Sequence, residues 1–157
     1  MRKAIVIVLL LAFVVSCGSN KTVRTSKKII KGEWTLSSIT YSKEGDYNVT
    51  LLNDVSKACF EGSTWRFIPN NNTGVYTIAN NDCYPGDRSF IFLIQKIDES
   101  TGYYDFLLKP TNEKKKSVDN TGFRLHLNEL TQTNMVWTQS LYVNDEPFQI
   151  NMNFIKL

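Results

Sequence analysis

Histidine is all but missing from this chain: there is 1, His126, in 157 residues. Cysteine is scarce too, with 3 in all, Cys17, Cys59 and Cys83. Cys17 belongs to the N-terminal segment, and the two remaining thiols with one distant imidazole do not supply four zinc ligands at any usual spacing. No phosphate-binding glycine loop, dinucleotide fingerprint or Gly-x-Ser-x-Gly elbow occurs. Acidic residues fall mostly at turns, so no pair is marked as an acid and base. His126 lies between Leu125 and Leu127, which in a strand puts it on the face opposite those leucines, as a satisfied or solvated side chain rather than a base. The chain is therefore expected to be no enzyme and to hold no metal or cofactor. Charge of one sign is also lacking: 18 basic residues against 15 acidic leave a formal net charge of +3. No basic stripe argues for nucleic acid, where many phosphates must be neutralised.

Long apolar runs are absent except at the start. Arg2 and Lys3 precede a nearly unbroken apolar segment from Ala4 to Val15. It is shorter than the ~20 residues needed to cross a bilayer, and polar residues follow at once. A secretory signal has this layout. The tetrapeptide Val14-Val15-Ser16-Cys17, followed by Gly18, resembles the lipobox of bacterial lipoproteins. That resemblance implies cleavage before Cys17 and acylation of its sulfur, with two or three chains needed for stable anchoring. Residues 1–16 are then the signal peptide, and 17–28 a lipidated N-terminus and flexible tether. Loss of Arg2 and Lys3 lowers the net charge from +3 by two, to +1. Lys21, Arg24, Lys27 and Lys28 would be drawn to anionic headgroups. Gly18 in place of an aspartate after the cysteine implies the outer membrane, with the chain in the cell envelope.

Residues 29–157 suit one domain. Phe148, Ile150, Met152 and Phe154 alternate with Gln149, Asn151 and Asn153, the pattern of a half-buried strand. Seven similar runs precede it: Glu33 to Tyr41, Thr64 to Ile68, Val75 to Ala79, Phe90 to Ile97, Tyr103 to Leu108, Phe123 to Glu129 and Met135 to Val143. Turn residues such as Asn70 to Gly74 and Asn144 to Pro147 separate them. The expected fold is all-β, an up-and-down antiparallel barrel of about eight strands; a sandwich of seven or nine would read much the same. Val49 to Phe60 fits a short helix or a loop pinned on the barrel, and Thr111 to Thr121 a solvated loop. Phe90 to Ile94 is apolar on both faces, so either the Leu51, Leu52, Val55 segment covers its outer side, the favoured reading, or that side is a partner surface.

With Cys17 given to lipid, Cys59 and Cys83 are an even pair in an exported domain. That favours a disulfide over two buried thiols. Gly32-Glu33-Trp34 opens the first strand and resembles the G-x-W signature of lipocalins and of lipocalin-like lipoproteins. Cys59, Trp65, Phe67, the Asn72 to Gly74 turn and Cys83 match the same family. The resemblance implies that Gly32 lets the chain turn into the barrel and that Trp34 packs at its closed end. Two departures stand out: the late Thr-Asp-Tyr turn is missing, and Lys156 stands where an arginine would cover the tryptophan.

Trp65, Phe67, Tyr76, Phe106, Trp137, Phe148 and Phe154 are candidates to line a site for a small apolar ligand. The same rings would equally fill a small barrel and leave no cavity. Two functions follow as expectations. One is an anchored carrier of a small hydrophobic ligand. The other is a structural or inhibitory module that meets another envelope protein through loops such as Cys83 to Arg88 or Thr111 to Thr121.

Overall fold

The computed structural model describes residues 18–95, 97, 98, 100–117 and 119–157. Cys17 and the segment 1–16 lie outside the described residues. A helix, α1 (Gly18–Ile30), leads into β1 (Gly32–Tyr41). A small hairpin of β2 (Thr50–Leu51) and β3 (Val55–Ser56) follows, then a single helical turn, α2 (Lys57–Phe60). Seven further strands complete the chain: β4 (Thr64–Ile68), β5 (Thr73–Ile78), β6 (Gly86–Gln95), β7 (Asp105–Thr111), β8 (Phe123–Leu130), β9 (Asn134–Val143) and β10 (Glu146–Lys156). β1 pairs antiparallel with both β4 and β10, which closes eight strands into a barrel in the order β1-β10-β9-β8-β7-β6-β5-β4. Closure leaves that sheet without an edge. Bulges at Leu36/Ser38 and Leu127/Glu129 shift the register, as tight curvature requires.

The eight expected strands are present with shifted ends; β6 begins at Gly86 rather than Phe90, and β7 runs on to Thr111. The expected flexible tether is the larger departure. Gly18–Ile30 is helical and carries Lys27 and Lys28 in its last turn, where the helix dipole favours cations. Its inner face is Ser26 and Ile30, both buried. Two residues spaced by one turn, one of them a serine, are too faint an apolar pattern to stand out in the sequence.

Gly32 has φ +115, a left-handed region in which side chains are strained, and there the chain turns from α1 into β1. Trp34 is fully buried at this end, and its Nε1 donates to the Ile30 carbonyl at 2.8 Å. The Lys156 ammonium stands 5.1 Å from the Trp34 ring centroid and donates to the Ile29 carbonyl at 2.6 Å. A lysine thus covers the tryptophan and ties β10 to α1.

The opposite, open end is plugged by Leu51, Leu52, Val55 and Phe60, all buried. The Cys59–Cys83 disulfide pins the plug to the 3-10 turn Asn81–Cys83 after β5. On the chain-entropy account a loop of 24 residues is worth roughly 3 kcal/mol. The plug does not cover β6 as expected. Phe90 and Phe92 point inward, while Leu93 remains 48% exposed on the outer wall.

The lumen is filled by rings. Trp65 stands within 4.6 to 6.3 Å, centroid to centroid, of Phe60, Phe67, Tyr76, Phe90, Trp137 and Phe154. Trp137 continues the stack to Phe106 at 4.7 Å, and Phe106 to Phe92 at 4.7 Å. Each such pair is worth about 0.5–1.5 kcal/mol beyond its buried area.

Trp65→Ala is expected to lower the unfolding free energy by about 3–5 kcal/mol, read from urea denaturation. Gly74 tests the same packing from the wall. A methyl there would overlap the Phe90 ring and come within 2.8 Å of the Arg66 carbonyl oxygen. Gly74→Ala should therefore cost roughly 1–3 kcal/mol by overpacking, seen as a lower thermal midpoint.

Candidate functional site at the open end of the barrel

Of the seven rings expected to line a ligand, six (Trp65, Phe67, Tyr76, Phe106, Trp137 and Phe154) belong to the lumen stack and are at most 1% exposed. Phe148 is apart, packed at 5.4 Å on Tyr41 and 4.7 Å on Tyr47 beside the mouth. Tyr76, a member of the stack, borders open space. The rings that sequence reasoning left out of the set, Phe60, Phe90, Phe92 and Tyr104, complete the filling.

The space Tyr76 borders is a cleft of about 230 Å³ at the open end, between the plug, the mouth-side ends of β5 to β8, and the loop after β7. Leu52, Tyr76, Pro110 and Phe123 give it an apolar floor, with Ser89, Thr111, Asp119 and Thr121 around it. A 150 Å³ apolar cavity takes benzene on the order of size, so this cleft suits a ligand of one small ring or short chain.

Its geometry is set by the plug hairpin. The Asp54 amide donates to the Leu51 carbonyl at 2.9 Å, closing a two-residue turn with Leu52 at φ 50 and Asn53 at φ 55. Such turns favour Asn or Gly. Leucine at the first position costs on the order of 1 kcal/mol, offset by burial of its side chain. Asp54 is then held from two sides, accepting from the Tyr76 hydroxyl at 2.8 Å and from Arg88 Nε at 3.1 Å. The other guanidinium nitrogens of Arg88 donate to the carbonyls of Gly86 at 2.8 Å and Tyr84 at 2.6 Å. Arg88 therefore has its charge matched by Asp54, and each of its three nitrogens donates one hydrogen bond within the protein. It is a clamp between plug and barrel rather than a free anion site. Asp119, exposed, is kept below the usual carboxylate range by hydrogen bonds from Thr121. With Asp54 and Arg88 cancelling, the cleft carries one net negative charge.

One buried polar atom of the cleft walls has no partner among the described residues: Thr111 Oγ1, closed to solvent in a residue 9% exposed. A buried hydroxyl without a partner costs about 1–3 kcal/mol.

Elsewhere the chemistry is sparse. His126 sits on the outer wall, about half exposed, with Nδ1 3.2 Å from Asp105, which also accepts from Arg124 at 2.7 Å. Partial burial works against the Asp105 charge, but these two partners prevail and lower its pKa. Among the described residues no group of three His, Cys, Asp or Glu side chains could hold a metal. Cys17, expected from the sequence to be lipidated, lies outside the described residues.

Two buried phenols give the fold an alkaline limit. Burial, then the Asp54 charge and its hydrogen bond, push the Tyr76 pKa far above its usual value. Burial pushes Tyr104 up to about 12; its hydroxyl faces Ser26 without a well-formed hydrogen bond. In the unfolded chain both lose their protons near pH ~10. The unfolded state therefore binds fewer protons above that pH, and stability, complete below it, falls as pH rises toward the folded values. An absorbance titration of the 7 tyrosines should show at least two that ionise only together with loss of near-ultraviolet circular dichroism. Reversible ionisation of all of them in a folded protein would contradict this.

Compared with known proteins, the chain matches no family model and no curated protein. What the molecule does is to be read from the barrel and its cleft.

Proposed function

We propose that the protein is a lipid-anchored, lipocalin-like binding module of the cell envelope, seated at the outer membrane and acting without catalysis. Its ligand is small and mostly apolar, neutral or cationic, with one group that hydrogen-bonds Thr111. The cleft at the mouth of a filled barrel carries this reading. An eight-stranded barrel has room for side chains or one small ligand, and here the rings take the lumen, which leaves the open end to the ligand. The lipobox at Val14 to Cys17, the Gly32 to Trp34 signature and the Lys156 cover on Trp34 support the anchored, lipocalin-like part.

A second reading, contact with another envelope protein, is favoured by Tyr84. This side chain is 84% exposed, next to Cys83 of the disulfide, with its carbonyl held by Arg88. Aromatic side chains on rigid turns make effective contact anchors.

Small aromatic alcohols and amines, titrated into the mature protein, should shift the backbone amide resonances of Leu52, Ser89, Thr111 and Phe123 and leave the opposite end unmoved. Thr111→Val should weaken this binding at least several-fold while raising stability by about 1 kcal/mol, because the lone hydroxyl is gone. Binding unaffected by that substitution, or no shifts in the cleft while Tyr84 crosslinks a stoichiometric partner in cells, would leave the second reading in place of the first.

A further inference from the structure

At the closed end the protein exposes two kinds of side chain together. α1 carries Lys21, Arg24, Lys27 and Lys28 and no acidic residue, and Lys31 follows it directly. Lys21, Arg24, Lys28 and Lys31 are exposed and recur at intervals of three, four and three, which is one stripe of a helix. The buried stripe is Ser26 and Ile30. The helix is not free to roll, since Trp34 and Lys156 both donate to its last carbonyls. The basic stripe therefore has a fixed direction relative to the barrel.

The apolar side chains follow the same end. Ile68, Leu93, Tyr103, Ile155 and Leu157 are exposed. The strand register puts each at the closed end of β4, β6 or β10 or in the β6 to β7 connection. At the open end the exposed large apolar side chains are Tyr84, Tyr142 and Val143.

We propose that the closed end is a membrane-seating face: it rests on an anionic lipid surface with the Lys21, Arg24, Lys28, Lys31 stripe at headgroup level, and it points the mouth cleft away from the bilayer. The inference rests on the lipid anchor proposed above, because Gly18, the first residue of α1, directly follows Cys17. Charge complementarity and continuity with the anchor name the occupant. The apolar side chains are spread over three strands and a loop, and a lipid surface accommodates scattered groups that a protein interface would require as a packed core. Of the described acidic residues at this end, Asp105 is paired with Arg124 and His126 on the outer wall, and Asp98 is turned into its own loop, accepting from the Ser100 amide and hydroxyl. Glu33 and Glu129 stand on strands, outside the helix stripe.

Mass measurement of the mature protein reports the anchor on its own. The acylated protein is then placed in phosphatidylcholine vesicles with and without phosphatidylglycerol. A fluorophore is carried by Gln132→Cys at the closed end or Tyr142→Cys at the open end, with an acceptor dye in the bilayer. Energy transfer should be strong from position 132 and weak from 142 with phosphatidylglycerol present, and the gap should shrink when Lys21, Arg24, Lys28 and Lys31 are all changed to Gln. Equal transfer from both positions, or a gap indifferent to the four substitutions, overturns the seating face and leaves the anchor standing. If the mature chain carries no acyl groups, the anchor reading fails and co-sedimentation decides the face. Binding to phosphatidylglycerol vesicles that drops roughly fivefold per basic residue removed supports it; binding no tighter than to phosphatidylcholine alone overturns it.

Discussion

Packing of rings inside a closed eight-stranded wall is the constraint on which the rest of this structure depends. Such a barrel has an interior one or two side chains wide. Trp65 and Trp137, meeting at 5.8 Å and nearly perpendicular, occupy its middle. Everything inward-facing must then fit around two indoles, which explains Gly74 opposite Phe90, where the wall comes so close to a ring that no Cβ fits. Solid interiors of this kind are close-packed and deform little. Function is thereby moved outward, to the ends and rims.

The two ends are finished differently. At the closed end a buried tryptophan is held by a carbonyl from the helix before it and covered by the lysine one residue before the C-terminus, so the helix that opens the described chain and the strand that ends it are locked into one cap. The open end is finished by an insertion instead. A strained leucine turn, an Asp54–Arg88 ion pair and a disulfide hold fewer than a dozen residues over the mouth. The ion pair is about three-quarters buried, so its hydrogen bonds fix position more than they add stability. A plug tied at two points leaves a cleft beside itself rather than sealing the mouth.

The strands were legible because alternation is a local property: Phe148, Ile150, Met152 and Phe154 announce β10 without reference to any partner. The Cys59–Cys83 pair was legible once Cys17 had been set aside. α1 was not, since its contact with the barrel is two residues wide and its propensity is unremarkable, and packing rather than periodicity makes it helical. The state of the lumen could not be read either, because Trp65, Phe67 and Trp137 would appear in the same places in a hollow barrel. The cleft was the least legible of all. Asp54 meets Tyr76 across 22 residues and Arg88 across 34, and only barrel closure brings them together.

The same closure limits the kind of ligand that the proposed binding role allows. A carrier with an open calyx gains affinity by removing most of a ligand's surface from water, at roughly 25 cal/mol per Å². In a cleft of about 230 Å³ at the rim, one side of the ligand stays wet. Affinity then depends on few contacts, and specificity on the polar ones, because a hydroxyl already buried without a partner gains the whole value of a hydrogen bond when a ligand supplies it. Thr111 is such a group, at the end of β7 where the rigid wall meets the loop. A barrel this solid adapts little; the Thr111 hydroxyl is closed to solvent at the base of the loop after β7, so a group in the cleft reaches it only where that loop, not the wall, yields. For the proposed binding role, that favours selective, reversible recognition of one small molecule over bulk carriage of lipid.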